Sequence, residues 1–97
     1  MPSRALTPTE IEEALASPEL ARWHLLHGKL HREYAFANFV DAFGFMCQCA
    51  LIAERSDHHP EWCNVYNRVV VDLTTHDAKG ISKRDFALAE AMDALAR

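Results

Sequence analysis

Cysteine is scarce and poorly spaced for structural use. Cys47, Cys49 and Cys63 are odd in number, and they fit neither a disulfide framework nor a zinc-finger spacing. A reducing, cytoplasmic setting is the simplest reading. No long apolar run is present. The most apolar stretch is broken by Asn38, Asp41 and Gln48, which makes it a poor membrane span. The opening "MPSRALTPTE" lacks the apolar centre of a secretory signal. Basic charge is in deficit, with 10 Lys and Arg against 14 Asp and Glu and a net charge of -4. That removes any general pull toward nucleic acid or an acidic membrane surface, and no basic stripe offers a nucleic-acid interface. Repeats, low-complexity tracts and linkers are missing as well. What remains is ordinary for a globular chain: 49% apolar and 25% charged residues over 97 positions. One domain over residues 1–97 is expected, burying about 60–65% of its unfolded surface around one modest core.

The local patterns order themselves readily. "TPTEIEEALAS" predicts a first helix capped by Thr7, with Pro8 at its first position and Glu10 completing a capping box. Ser17-Pro18 should end it. "RWHLLH" and "LHREYAFA" predict a hairpin turning at Gly28-Lys29. The alternation of Leu30, Arg32, Tyr34 and Phe36 with polar neighbours is only partial. "NFVDAFGFMCQCALIAERS" predicts the long helix, started by Asn38. "WCNVYN" and the β-branched "RVVVDLTTH" predict two further strands. "SKRDFALAEAMDALA" predicts a last helix capped by Ser82. The order helix, two strands, helix, two strands, helix implies an α+β fold: a four-stranded antiparallel sheet with helices on one face.

The long helix carries an expectation about partners. At about 100° per residue, Asp41, Gln48 and Arg55 share one narrow stripe with Asn38 beside it. Phe39, Val40, Phe43, Met46, Cys47, Ala50 and Leu51 fill much of the remaining circumference. A surface helix of a small monomer buries one face, so this one is expected to bury a second face against another copy of the chain. Cys47 and Cys49, on this apolar helix, are expected to be buried and inert.

"ERSDHHPEW", residues 54–62, poses the chemical question, because it sets two imidazoles side by side. Glu54 falls about one turn before His58, near the helix C-terminus. That terminus, Glu54 and Asp57 all favour a positive imidazole. Pro60 biases His59 toward extended backbone, so the two rings should diverge. His76 ends the last strand, and Asp85 opens the last helix. Three imidazoles with three carboxylates make a kit for moving protons. The plainer readings stand beside it: Asp85 also fits a capping box with Ser82, Glu54 and Asp57 fit a solvated helix end, and a His pair before proline fits a turn. Zinc is the weaker option, since adjacent ligands rarely reach one metal. His24, His27 and His31 gather around the first hairpin, where a metal cluster is a minor alternative to strand histidines.

The whole constellation tips this balance. Glu54, His58-His59-Pro60, Tyr66, His76 and Asp85 at these intervals resemble the signature of the pterin-4a-carbinolamine dehydratases. "LHREYAFANFVDAF", "DHHPEWCNVYNRV" and "LTTHDAKGISKRD" carry the likeness over roughly residues 20 to 95. The resemblance implies a dehydratase that converts 4a-hydroxytetrahydropterin to quinonoid dihydropterin and water, recycling tetrahydrobiopterin for an aromatic amino acid hydroxylase, with no metal and no organic cofactor. It implies that His58 and His76 transfer protons and that His59 mainly positions substrate. Glu54, Asp57 and Asp85 would tune and orient them beside Pro60, with Arg84 and Trp23 at the pocket's edge. It also implies a homodimer or homotetramer. A different class stays open: relatives also serve as dimerisation cofactors or transcriptional coactivators, which makes a protein-interaction module the alternative.

Overall fold

The computed structural model describes residues 4–96. Helix α1 (Pro8–Leu15) and a 3-10 turn (Pro18–Leu20) lead into strands β1 (His24–Leu26) and β2 (Lys29–Ala35). Helix α2 (Phe39–Ser56) follows, then β3 (Glu61–Val65), β4 (Arg68–Leu73), a second 3-10 turn (His76–Ala78) and α3 (Lys83–Leu95). The strands form one antiparallel sheet in the order β1-β2-β4-β3. The expected α+β architecture is therefore present.

The caps explain why the helices begin where they do. Thr7 accepts the Glu10 backbone N–H while Glu10 accepts that of Thr7, a complete capping box. Asn38 Oδ1 accepts the Asp41 N–H at 2.8 Å and starts α2. At the other end of α2, Asp57 turns left-handed at φ 51° and ψ 44°. Its N–H bonds to the Glu54 carbonyl, and the N–H of His58 bonds to that of Ala53. This pair of bonds is a Schellman closure, and Asp tolerates the left-handed position better than most side chains.

The register decides which residues meet the helices. Leu30 pairs with Leu73, Arg32 with Val71 and Tyr34 with Val69, all on the helix-covered side. Leu30, Val69, Val71 and Leu73 are fully buried there with Met92 of α3 and Cys49 of α2. Burial pushes the Cys49 thiol up to about 12, so it stays protonated and unreactive. The opposite side of the sheet pairs His31 with Asp72 and Ala35 with Arg68 and is largely polar. His31 Nδ1 lies 2.9 Å from Asp72 Oδ1. Partial burial pulls this ring's pKa down, but the Asp72 and Glu33 carboxylates outweigh it and the pKa ends above the ordinary histidine value.

Arg32 broke the expected alternation, and α3 supplies the reason. Asp93 reaches back to the sheet and accepts from the Arg32 guanidinium at 2.6 Å, from the Trp23 indole N–H and from the Tyr34 hydroxyl. One carboxylate thus satisfies three partly buried donors, while the Arg32 guanidinium lies 4.0 Å from the centre of the Tyr34 ring. Burial, and then Asp93, push the Tyr34 phenol well above its ordinary range, which keeps it a donor.

Two turns differ from the sequence reading. The first hairpin turns at His27-Gly28, one residue earlier than Gly28-Lys29, with Leu26 paired to Lys29. Both turn residues have positive φ, 51° and 76°, and a turn of that hand prefers Gly second rather than first. The second hairpin turns at Tyr66-Asn67, so "YN" leaves the strand assigned to it. Asn64 donates to the carbonyls of Tyr66 and Arg68, and Asn67 to that of Phe36, which holds Tyr66 at its positive φ. Cys47 also corrects an expectation: it is exposed on α2, not buried.

Candidate active site

The Schellman closure of α2 is the first positioning device. By turning the chain at Asp57, it sends His58 inward and leaves His59 outside, as the proline-biased backbone suggested. His58 is buried, and its Nε2 lies 2.6 Å from Asp85 Oδ1. Asp85, at the start of α3, is fully buried. Its Oδ2 accepts the Thr75 hydroxyl at 2.7 Å and the Ser82 backbone N–H at 2.9 Å. Thr75 spends its only proton on Asp85, so Ser82 Oγ must donate across the 2.6 Å to Thr75 Oγ1. Ser82 Oγ in turn accepts the Arg84 N–H. Asp85 therefore caps α3 and holds an imidazole at once. A carboxylate offers only acceptors, so His58 carries its proton on Nε2 toward Asp85 and keeps Nδ1 free for other partners.

An open recess of about 390 Å³ lies at this end of the sheet. His58, His59 and Pro60 line it from the α2–β3 link, as do Thr74, His76 and Asp77 from the end of β4, and Arg84 from α3. Asp57 and Glu61 complete the lining. The sequence-predicted imidazoles thus converge from two separate segments. His76 is strongly exposed, with Nε2 lying 3.6 Å from Glu61 Oε2. Arg84 ties the walls together: Nη2 donates to the Asp57 carbonyl, and Nη1 stands 3.7 Å from Asp77.

Several expected partners sit differently. Glu54 pairs with His59, Oε1 to Nε2 at 2.9 Å, and not with His58. Both members of that pair are largely exposed. The Schellman turn separates Glu54 from His58, and of the three expected carboxylates Asp85 is the one that holds His58. Trp23 is buried against Asp93 and does not line the recess. Asp93 lies eight residues beyond Asp85, about 12 Å along the helix. Tyr66, at the hairpin tip, also lies outside the lining. Thr75 and Glu61 were not anticipated. Thr75 is a strand-end residue beside His76, and its burial depends on a fold the sequence does not print. Glu61 lies just before the strand expected from Trp62, and the structure extends that strand to it and sets it opposite Asp72. Among the described residues, no three His, Cys, Asp or Glu side chains are grouped to hold a metal ion. No helix among them is long and apolar enough to cross a membrane.

An arrangement of two imidazoles from different segments, one anchored by a buried carboxylate, suits proton transfer to and from a small polar molecule. The chain as a whole is similar to known proteins. A provisionally named pterin-4-alpha-carbinolamine dehydratase of Solibacter usitatus is 58% identical over 91 residues, covering 94% of this chain and 94% of the relative. One of Rhodopseudomonas palustris, with the same provisional name, is 50% identical over 93 residues, covering 94% and 90%. Among solved structures, a transcriptional coactivator/pterin dehydratase from Brucella melitensis superposes with a TM-score of 0.91 at 45% identity, covering 97% of this chain and all of that one. A pterin dehydratase-like protein identified as a RuBisCO assembly factor in the alpha-carboxysome superposes with a TM-score of 0.64 at 25% identity, over 77% and 87%. The family model for pterin 4 alpha carbinolamine dehydratase matches residues 4–95, nearly the full length, and the chain belongs to that family.

Proposed function

We propose that this chain dehydrates 4a-hydroxytetrahydropterin to quinonoid dihydropterin and water. The observation that carries the reading is the recess where His58, braced by buried Asp85, and His76 meet from separate segments. Hydroxide is a poor leaving group, so a proton must reach the 4a oxygen as the C4a–O bond breaks. The proton on ring N5 must go to a base, and the electron pair it leaves closes the N5–C4a double bond. One imidazole can supply the first proton while another accepts the second. His59, outside the buried network, and Arg84, bridging two walls, are the groups for orienting a polar heterocycle. The step needs no electron transfer, and this chemistry would place the chain after an aromatic amino acid hydroxylase and before the reduction that regenerates its tetrahydropterin. The test is direct: purified protein should accelerate the loss of enzymatically generated 4a-hydroxytetrahydropterin, and the acceleration should survive exhaustive chelation. No acceleration over the uncatalysed reaction would overturn the reading. Activity abolished by chelation and restored by one divalent metal would overturn its metal-free form.

The outer face of α2 supports a homodimer or homotetramer. Ala42, Phe45, Cys49 and Ala53 face the core. Phe39, Val40, Phe43 and Leu51 stay exposed, Val40 and Leu51 by about three quarters of their surface. Contiguous apolar surface of this kind on a small chain marks a contact. Sedimentation of the unmodified protein should give a dimer or tetramer; a stable monomer at micromolar concentration would refute the contact. The same face favours the second reading, an interaction module with little catalysis, in keeping with the coactivator and assembly-factor names of the two structural neighbours. A module of that kind would keep its partner binding after loss of His76.

A further inference from the structure

We propose that Glu61 is a positioning residue for His76, and that Lys29 sets how much of the Glu61 charge His76 experiences. The inference rests on the dehydratase reading above. Glu61 stands at the start of β3 and lines the recess. Its two oxygens face different partners: Oε2 lies 3.6 Å from His76 Nε2, and Oε1 lies 2.5 Å from Lys29 Nζ. One carboxylate thus links the first hairpin to an imidazole of the site. A distance of 3.6 Å is too long for a hydrogen bond but short enough for an ion pair. His76 is otherwise strongly exposed, so its orientation needs a tether, and no other side chain forms an ion pair with it among the described residues.

The charges around this point are few. Asp72 of β4 is the cross-strand neighbour of Glu61, and it is engaged with His31 at 2.9 Å. Glu61 and Asp72 together raise the Lys29 pKa, which keeps the ammonium charged. Asp77, next to His76 in the same turn, stands 3.7 Å from Arg84, and His58 and His59 are held by Asp85 and Glu54. Asp57 also lines the recess. Glu61 is therefore the carboxylate placed to stabilise a positive charge on His76, and Lys29 is the cation placed to oppose it.

The test is the pH profile of kcat/KM for three proteins: unsubstituted, Glu61→Gln and Lys29→Met. A carboxylate favours the imidazolium, so removing its charge makes His76 lose its proton at lower pH. Whichever limb of the profile His76 governs should move toward acid in E61Q. In K29M the same limb should move the other way. Both displacements should shrink at high ionic strength. A merely structural Glu61 would scale the rate and leave the limbs in place. Superimposable profiles for E61Q and the unsubstituted protein would overturn the proposal while leaving the dehydratase reading intact. A displaced limb in E61Q with none in K29M would overturn the role given to Lys29. An unsubstituted protein without dehydratase activity would overturn both this proposal and the reading beneath it.

Discussion

Replacing His58 or His76 by Ala should lower carbinolamine turnover by about 10²-fold or more, the ordinary loss when a general acid or base is removed. The two variants should differ in stability. His76 is exposed and makes one long ion pair, so H76A should fall within about 0.5 kcal/mol of the unsubstituted protein. His58 is buried and donates to a buried carboxylate at 2.6 Å. Its removal leaves Asp85 Oδ1 without that donor, at a cost of about 1–3 kcal/mol. The sequence alone places both residues at loop ends and suggests that neither matters to stability; the burial of His58 overturns that for one of them. H76A is accordingly the cleaner catalytic test, and H58A must be assayed well below its unfolding midpoint. Near-normal turnover by the double variant would sink the assignment of proton transfer to these rings.

What the sequence made legible follows from which features are local. Thr7, Asn38 and Ser82 are short-range signals, and each caps its helix as written. The apolar excess of α2 was equally readable, because helical periodicity alone separates Ala42 and Phe45 from Phe43 and Leu51. Turn positions slipped by a residue or two, since His27-Gly28 and Tyr66-Asn67 depend on φ signs and on Asn64 and Asn67 side chains bonding across the hairpins. Long-range polar pairing was not legible at all. Nothing near Arg32 in the chain announces Asp93, which lies 61 residues away. Glu54 looked like the partner of His58 because sequence distance stood in for space; the left-handed Asp57 breaks that relation and gives Glu54 to His59. Within the site, His58, His59, Pro60 and His76 line one recess and Asp85 holds His58, whereas Tyr66 and Glu54 lie outside the lining. The supporting residues Thr75 and Glu61 emerge only with the sheet register and the buried network around Asp85.

Asp85→Asn should be the most informative substitution in that network, because it preserves shape while removing the charge and changing what each atom can donate or accept. Three donors point at the two Asp85 oxygens: His58 Nε2–H, the Thr75 hydroxyl and the Ser82 N–H. An amide has one oxygen and one NH2 group. If its oxygen stays with Ser82 and Thr75, the NH2 faces His58, which must then accept at Nε2 and carry its proton on Nδ1. The free nitrogen of His58 would change from acceptor to donor. If the amide is turned the other way, its NH2 opposes the Ser82 N–H and the cap of α3 is lost. The first arrangement costs less, since a ring can change tautomer and a backbone N–H cannot. Turnover should therefore fall by about 10²-fold or more, with a stability loss of about 1–3 kcal/mol for the imperfectly paired buried group. Nitrogen chemical shifts of the neutral His58 ring should report the Nδ1–H tautomer in D85N and the Nε2–H tautomer in the unsubstituted protein. Thr75→Val, which leaves the His58 and Ser82 bonds in place, should retain the native tautomer and lose much less activity. If Asp85 serves only to cap α3, D85N will lose stability but turn over normally below its unfolding midpoint, and that result would remove Asp85 from the mechanism.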